Sequence, residues 1–339
     1  MKDKLKNIFI AASCFAAVTC FSACSDWTDV ESVTIKTPGI NELNPELYAK
    51  YLQNLIGYKN SDHKVVYAWF DNSEKKPYSR GQHITEAPDS LDVISLMYPA
   101  ALADFEKADI EAVHAKGTKV VYTISFDNIQ KEYEEKVKEG KAENNKFDAY
   151  LQSALTTQLG YADVFDGIIA EYKGASPIYM STDQKAEAKK YQDLFFGSIS
   201  SWKSANSAKV LTFQGYPQNL IEQSVLNNCK HIILVTDNVT DEAQLSIVAR
   251  LAMTSSNVPT DRFVATVSTV SLDTSDKKTG YYGTERALSE AAYWATEASD
   301  GYTRAGLAIY NVQNDYYNSG NSYRYIKEAI NIMNPAPKK

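Results

Sequence analysis

Short apolar runs alternate with longer amphipathic stretches along most of this chain, and this alternation restricts the possible folds more than any other feature of the sequence. The runs are rich in Val, Ile, Tyr and Phe. Several are apolar on both faces, as parallel strands are when helices cover the sheet. The sequence therefore predicts eight strands, at Lys64–Asp71, Val93–Tyr98, Thr118–Phe126, Val164–Lys173, Ala208–Gln214, His231–Asp237, Arg262–Val270 and Gly306–Val312.

Helical patterns fill the intervals between these runs. Asn44 is a candidate N-cap for a helix that begins at Pro45, and Ser181 is one for a long helix after the fourth strand. The predicted helices are Pro45–Ile56, Ala100–Ala115, Asp148–Tyr161, Thr182–Ala205, Gln218–Asn227, Asp241–Thr254, Thr284–Ser299 and Tyr323–Met333, and Lys131–Lys146 is predicted as a solvated helix and loop. This order indicates an α/β fold with a single (β/α)8 barrel, the TIM-barrel architecture. A doubly wound open sheet is the alternative, but no glycine-rich turn follows the first strand.

The N-terminus has the order of a secretory signal, with lysines in residues 1–6 and an apolar stretch after them. That stretch has about 16 residues, fewer than the roughly 20 that span a bilayer. It ends in Phe-Ser-Ala before Cys24, which resembles a bacterial lipobox, whose protease cuts before the cysteine that receives lipid. The alternative is an ordinary secretory signal in which Cys24 is incidental. The expected organisation is a signal peptide over residues 1–23, a lipidated tether over 24–43 and the barrel over 44–339.

Composition narrows the partners and cofactors. Cys14 and Cys20 lie in the predicted signal, so Cys229 is the only cysteine of the predicted barrel and no disulfide is expected there. The four histidines show no metal-ligand spacing, and the sequence predicts neither a metal nor a cofactor. The formal net charge of −7 argues against a nucleic-acid partner.

The fourth strand carries the most specific pattern, at the strand end where barrel enzymes place their chemistry. It reads Asp166-Gly167-Ile-Ile169-Ala-Glu171-Tyr-Lys173, and its alternate side chains share one face. This strand resembles the signature strand of glycoside hydrolase family 18, which includes chitinases and endo-β-N-acetylglucosaminidases and runs Asp-Gly-x-Asp-x-Asp-x-Glu. Asp166 and Gly167 match it. Ile169 and Glu171 stand at its middle and last aspartates, and Lys173 stands at its catalytic glutamate.

The resemblance implies a family glutamate that protonates the glycosidic oxygen, beside an aspartate that orients the substrate's own acetamide nucleophile. Lysine has an ordinary pKa of about 10.4, so Lys173 is unsuited to act as the general acid. Ile169 removes a second carboxylate. We therefore expect a degenerate motif with no catalytic residue. Two alternatives remain open: Glu171 is itself the acid, or Glu171 and Lys173 are a buried ion pair in a barrel unrelated to sugar.

Candidates for a sugar site follow from the chemistry of carbohydrates, whose apolar C–H faces lie on aromatic rings and whose hydroxyls pair with amides and carboxylates. The chain has 23 tyrosines, 12 phenylalanines and 4 tryptophans. Both kinds of side chain follow several predicted strands. The candidate glycan-binding residues are Trp69, Asp71, Tyr98, Phe126, Asp127, Glu171, Lys173, Gln214, Tyr216, Asp237, Asn238, Tyr310, Asn311 and Gln313.

The resemblance and the lipobox together predict a non-catalytic surface lipoprotein that binds N-acetylglucosamine-containing glycan, such as N-glycan, for uptake. Acidic residues after Cys24 resemble the export signals of polysaccharide-utilisation systems, which implies an outer-membrane or cell-surface location. The expected partners are a glycan ligand, an outer-membrane lipid anchor, and a glycan transporter and hydrolases of the same system. The alternatives are an active endo-β-N-acetylglucosaminidase that uses Glu171, and a structural lipoprotein without a sugar site.

Overall fold

The computed structural model describes residues 40–336, and the chain divides into two compact units between Ala49 and Lys50. The first unit contributes a one-turn helix, α1 (Ile40–Leu43), and the beginning of α2 (Pro45–Lys59). α1 therefore occupies the end of the stretch predicted as a tether. The predicted signal peptide and the predicted lipidation site, Cys24, lie outside the described residues.

Eight parallel strands form a closed barrel in the second unit, which confirms the predicted (β/α)8 architecture. In order around the barrel they are β1 (Val65–Phe70), β2 (Val93–Leu96), β3 (Lys119–Ser125), β4 (Gly167–Tyr172), β5 (Val210–Gly215), β6 (Ile232–Leu234), β7 (Phe263–Ser268) and β10 (Arg304–Tyr310). β10 pairs with β1 and closes the barrel. A small antiparallel hairpin of β8 (Tyr281–Tyr282) and β9 (Glu285–Arg286) lies in the chain between β7 and β10.

Most of the predicted helices are present. They are α3 (Asp104–His114), α4 (Phe126–Lys138), α5 (Phe147–Leu159), α6 (Thr182–Ala205), α7 (Glu242–Ala252), α8 (Ala287–Thr296) and α9 (Arg324–Met333). Ser181 caps α6 as predicted, because its side chain accepts from the Gln184 N–H while the Gln184 side chain accepts from the Ser181 N–H. The bounds of α6 are those predicted from the sequence.

The predicted helix over 218–227 was wrong, because two short 3₁₀ turns, Pro217–Asn219 and Ser224–Asn228, replace it. Asn219 donates to the carbonyls of Lys173 and Gly174 at 3.0 and 2.8 Å. Gln223 donates to the nearby carbonyl of Leu220 at 2.6 Å. Both side chains therefore bond to backbone carbonyls, and such bonds compete with helix formation.

Two layers of apolar side chains result from the alternation along each strand. The outer layer lies between strands and helices, and it receives Ile168, Ala170 and Tyr172 from β4. The inner layer fills the barrel, and it receives Ile169 from the same strand. The inner layer consists of Val65, Tyr67, Trp69, Val93, Val121, Ile169, Ile233, Val264 and Ala308.

The Asp-Gly pair of the motif lies at the amino end of β4, whereas Glu171 lies near the carboxyl end of the strand. Asp166 Oδ2 accepts hydrogen bonds from His114 Nε2 and the Val120 N–H, both at 2.7 Å. Gly167 is packed so closely that an added Cβ would meet the Val210 carbonyl oxygen at 2.1 Å. This pair therefore holds the amino end of β4 in position, at the opposite end of the strand from Glu171.

Candidate functional site

The carboxyl end of β4 places Glu171 and Lys173 on the inner face of the barrel, in line with Ile169. Ile169 is fully buried in the inner apolar layer. The backbone of Lys173 is fixed on both sides: its N–H donates to Asp127 Oδ2 at 2.9 Å, and its carbonyl accepts from Asn219 at 3.0 Å. As the sequence predicted, the side chains on this face therefore change from apolar inside the barrel to charged at its mouth.

Lys173 lies between two carboxylates. Its Nζ is 3.5 Å from Glu171 Oε1 and 3.7 Å from Asp237 Oδ2, which follows β6. Burial lowers the pKa of Lys173, but the negative charges of Glu171 and Asp237 outweigh it and hold that pKa above its ordinary value. The ammonium is therefore charged at neutral pH, and it forms a bridge between β4 and β6 at the mouth of the barrel.

Glu171 is also tied to the opposite wall through an amide. Gln214 Nε2, on β5, donates to Glu171 Oε1 at 2.9 Å and to the Tyr310 hydroxyl at 2.6 Å. Burial and the charges of Asp237 and Glu171 raise the pKa of Tyr310, so its hydroxyl stays protonated. The rings of Tyr310 and Trp69 lie 4.8 Å apart at an angle of 49°. Acid, amide and aromatic groups therefore form one connected surface.

These side chains line a cleft of about 990 Å³ at the carboxyl ends of the strands. The volume lies at the upper end of the range that small-molecule sites occupy. Of the predicted glycan-binding residues, the cleft is lined by Trp69, Tyr98, Glu171, Lys173, Gln214, Asp237, Tyr310 and Asn311. Strands β1, β4, β5 and β10, and the segments after β2, β4, β6 and β10, bring these eight residues together.

Tyr98 forms an exposed part of the wall, with 48% of its surface accessible. Asn72 holds the backbone there: its Oδ1 accepts from the Tyr98 N–H at 2.8 Å, and its Nδ2 donates to the Tyr98 carbonyl at 3.0 Å. Asn72 also donates to Glu106 at 2.6 Å. The ring of Tyr98 is thus presented to the cleft on a backbone that buried hydrogen bonds hold.

The other predicted candidates do not line the cleft. Phe126 is 6% exposed and packs against the rings of Phe147, Tyr172 and Phe195, because its strand ends one residue earlier than predicted and Phe126 begins α4. Asp127 supports the Lys173 backbone. The remaining candidates outside the lining are Asp71, Tyr216, Asn238 and Gln313, of which Asp71 and Gln313 bond to each other through the Asp71 N–H and Gln313 Oε1 at 3.4 Å.

Several lining residues were absent from the sequence candidates. On strands and at their ends they are Thr123, Ser125, Thr236, Thr266 and Ser268, on α4 there is Asn128, and around the hairpin they run from Lys278 to Tyr282. Thr123 and Ser125 alternate on β3, and Ser125 pairs in register with Glu171. That polar alternation was a usable signal, whereas nothing in the sequence indicated that the hairpin would reach the cleft.

Within residues 40–336, no group of three or more His, Cys, Asp or Glu side chains is arranged to hold a metal ion. A search of the same residues finds no helix that is long and apolar enough to span a membrane. Cys229 is a buried free cysteine, and burial raises its pKa to about 12. It is therefore not poised as a nucleophile.

Comparison with known proteins places this geometry in a family. The family model described as glycoside hydrolase family 18, BT1044-like, matches residues 28–332. The BT1044 protein, solved with selenomethionine and one glutamate changed to glutamine, has a TM-score of 0.63 at 16% identity, over 87% of this chain and 95% of that one. No curated protein sequence matches the chain.

Two further solved structures share the fold. An endo-beta-N-acetylglucosaminidase from Cordyceps militaris gives a TM-score of 0.61 at 16% identity, over 84% of this chain and 96% of that one. A GH18 chitinase from Pseudoalteromonas aurantia gives 0.52 at 11% identity, over 79% and 99%. At these identities the likeness establishes the barrel fold, and the family model, which covers most of the chain, establishes the family. The chain therefore belongs to glycoside hydrolase family 18, in its BT1044-like group.

Proposed function

We propose that this chain is a non-catalytic, surface-anchored protein that binds N-acetylglucosamine-containing glycan, such as N-glycan, in the cleft at the mouth of its barrel. The observation that carries the proposal is Lys173, whose ammonium occupies the motif position of the family's acid and lies between Glu171 and Asp237. A general acid must give up a proton near the working pH. The pKa of Lys173 is raised above its ordinary value, so its ammonium holds that proton instead.

Ile169 supports the same proposal from deeper in the barrel. It is fully buried among apolar side chains of the inner layer, where the family motif has a carboxylate. The carboxylate of the family's middle aspartate is therefore missing as well as the acid, whereas Glu171 keeps a carboxylate at the position that orients the acetamide. Loss of both groups leaves the cleft its binding surfaces but removes the proton relay that substrate-assisted hydrolysis uses.

The walls of the cleft have the composition that carbohydrate binding needs. Tyr98 offers an exposed ring, while Trp69, Tyr310 and Gln214 form a more buried part of the lining and Asn311 offers an amide next to Tyr310. The cleft is open and has a volume of about 990 Å³, which favours a ligand site over a purely structural barrel with a filled mouth. We propose attachment to the outer membrane through lipid on Cys24, and cooperation with a glycan transporter and hydrolases of the same system.

Binding is tested by titration calorimetry of the purified chain with N-acetylchitotetraose and with a released N-glycan. Tyr98→Ala removes an exposed ring from the cleft wall, and we expect affinity to fall about fivefold or more. Tyr179→Ala is the matched control, because Tyr179 is 88% exposed and is not among the lining residues. Absence of heat with both ligands, for a chain with an intact thermal transition, would contradict the proposal.

Loss of catalysis is tested by restoring the motif. Lys173→Glu and the double variant Lys173→Glu with Ile169→Asp are compared with wild type for release of oligosaccharide from a glycoprotein. We expect no release by wild type and measurable release by the double variant. Because Ile169 is fully buried in an apolar layer, Ile169→Asp destabilises the barrel, and circular dichroism must accompany each assay. The single variant Lys173→Glu keeps the apolar layer intact and serves as the folded reference.

Hydrolysis by Glu171 is the second candidate function, because Glu171 faces the cleft and is 9% exposed. Its Oε1 already accepts from Gln214 at 2.9 Å and lies 3.5 Å from the Lys173 ammonium, an arrangement that suits an acceptor better than a proton donor. Release of oligosaccharide by wild type that Glu171→Gln abolishes would establish this candidate. Such a result would at the same time exclude the non-catalytic proposal.

A further inference from the structure

The floor of the cleft is formed by Gln214, Glu171, Lys173 and Asp237, and one polar atom of Gln214 has no hydrogen-bond partner there. Gln214 is 2% exposed and lines the cleft, and its Oε1 has no hydrogen-bond partner among the described residues. Its Nε2 donates to both Glu171 and Tyr310, so exchanging the two amide atoms would turn the oxygen toward a carboxylate. The unpaired oxygen is therefore a feature of the network. It is itself buried, so a ligand hydroxyl or amide N–H can supply the missing donor only when a neighbouring side chain of the lining moves.

The same floor has an excess of negative charge. Glu171, Asp237 and Asp127 all act on the single ammonium of Lys173. The two closest contacts of that ammonium, at 3.5 and 3.7 Å, are longer than a strong charge-assisted hydrogen bond. Glu171 and Asp237 line the cleft whereas Asp127 does not, so the floor has two carboxylates against one ammonium and is negative at neutral pH. The unpaired acceptor of Gln214 and the excess negative charge of the floor both favour a ligand that brings hydrogen-bond donors.

The other charged residues of the lining do not reverse this balance. Lys75 is paired with the buried carboxylate of Glu106 at 2.9 Å, so its charge is already compensated. Glu132 and Lys278 are both part of the lining and have opposite signs. The excess of acceptors over donors is therefore concentrated where Gln214, Glu171 and Asp237 meet Lys173.

We propose that this floor selects glycans by charge: it accepts neutral or amino-bearing sugar units and rejects units that bear carboxylate or sulfate. The inference rests on the proposed function, because it names the charge class of the glycan that the cleft binds. An anionic group placed beside Glu171 and Asp237 is repelled, more strongly beside the buried Glu171 than beside the exposed Asp237. A hydroxyl, an amide N–H or an ammonium at the same place is attracted.

The test compares three tetrasaccharides with one backbone: N-acetylchitotetraose, the same compound with a 6-O-sulfate, and the glucosamine tetramer. Calorimetry at low salt is expected to give the sulfated compound at least about fivefold weaker affinity than the unsulfated one. The glucosamine tetramer is expected to bind more tightly at low salt than at 0.5 M salt, since salt screens exposed charges. Added salt should likewise narrow the gap between the sulfated and unsulfated compounds.

Variants distinguish an effect of charge on affinity from an effect of shape. Glu171→Gln with Asp237→Asn removes two negative charges with little change in size, and the ratio of the two affinities within this variant should approach one. Glu187→Gln is the matched control, because Glu187 lies exposed on α6, is absent from the lining and alters only the net charge of the chain. Its ratio should equal that of wild type. Circular dichroism checks that each variant is folded.

The outcomes are distinguishable. Equal affinities for the sulfated and unsulfated compounds in wild type would overturn charge selection and leave the proposed function standing. A gap that persists unchanged in the double variant would also overturn it, because the discrimination would then be steric. Binding of none of the three compounds by a folded chain would overturn the proposed function, and charge selection with it.

Discussion

His231 precedes β6 and forms part of a polar network inside the barrel. Its Nδ1 is 2.8 Å from the Tyr67 hydroxyl, which is also 3.0 Å from Thr212 Oγ1. Burial, followed by the positive charges of Lys230 and Arg262, lowers the pKa of His231 to about 4. The folded protein therefore keeps this imidazole neutral at a pH where an unfolded chain would protonate it.

The consequence is a loss of stability in acid. Between the ordinary histidine pKa of about 6.5 and the folded value near 4, the unfolded chain binds the proton that the folded chain refuses, so unfolding becomes easier as the pH falls. We expect up to about 3 kcal/mol of stability to be lost from this group between pH 7 and pH 4. Urea unfolding at pH 7, 5.5 and 4.5 should show a shallower pH dependence for His231→Gln than for wild type.

His63 provides the opposite control. Its hydrogen bond to Asp92, at 2.8 Å, raises its pKa, so its contribution is fully present below the unfolded value and is lost as the pH rises through the folded one. His63→Gln should therefore unfold more easily than wild type in acid, which steepens the decline. If His231→Gln and wild type share one slope, burial of His231 is not the cause of the acid sensitivity.

At the site, the sequence predicted which side chains share a face and offered the pairing of Glu171 with Lys173, but it did not predict their contacts with other strands. The two-residue period of β4 was enough to put Ile169, Glu171 and Lys173 on one side, and the structure has them there. The contacts of Lys173 with Asp237, and of Glu171 with Gln214, depend on the curvature and register of three different strands. No local pattern contains that information, so strand-end position identified the partners only as members of a larger set.

Among the elements, β4 depends on a glycine at its first position. An added Cβ on Gly167 would lie 2.1 Å from the carbonyl oxygen of Val210 and 2.8 Å from its backbone nitrogen and carbon. The clash is with the neighbouring strand's backbone, which cannot rotate away as a side chain can. β4 pairs with β5 from this residue to Tyr172, so a displacement here is transmitted to the strand that carries Glu171.

Gly167→Ala is accordingly expected to cost at least about 2 kcal/mol of unfolding free energy, because it forces two paired strands apart. Gly197→Ala is the matched control: Gly197 lies inside α6 with nothing within 4 Å of an added Cβ. That change should stabilise the chain by about 0.5–1 kcal/mol, since alanine favours the helix. Chemical denaturation measures both, and equal effects of the two variants would refute the close-packing argument.

Three segments of the chain show how well local structure can be predicted from one sequence. α6 was predicted with its observed bounds because its capping box and its helical period agree. The segment 218–227 has polar side chains that bond to backbone carbonyls, so its helical period gave the wrong element. The hairpin of β8 and β9 has strands of two residues each, which are too short to produce a period.

At the scale of the whole molecule, closure of the barrel was predictable because eight apolar runs alternate with helices and parallel strands need helical crossovers. The cleft followed from closure, since the carboxyl ends of all strands then meet at one mouth. The polarity of the cleft did not follow from closure, because the buried strand β4 is apolar up to Ala170 and its charged side chains come only at Glu171 and, directly after the strand, at Lys173. The family assignment comes from a match over residues 28–332, whereas the proposed charge selection depends on a few side chains in the floor of the cleft.

In the proposed function, the location of the whole molecule depends on Cys24, which the sequence predicts as the lipidated residue after a signal peptide. We expect Cys24→Ala to abolish incorporation of labelled fatty acid in a bacterial host and to shift the protein from the membrane fraction to the soluble fraction. Cys20→Ala is the matched control, because Cys20 lies four residues earlier within the predicted apolar stretch and should leave labelling intact.

The expected shift has a physical reason, since the proposed anchor is the lipid itself. Each buried methylene of an acyl chain contributes about 0.8 kcal/mol, and two or more chains make membrane attachment stable. Fatty-acid labelling that persists in Cys24→Ala, or a membrane-bound fraction that does not change, would show that the chain is held by some other means and would remove the surface anchor from the proposed function.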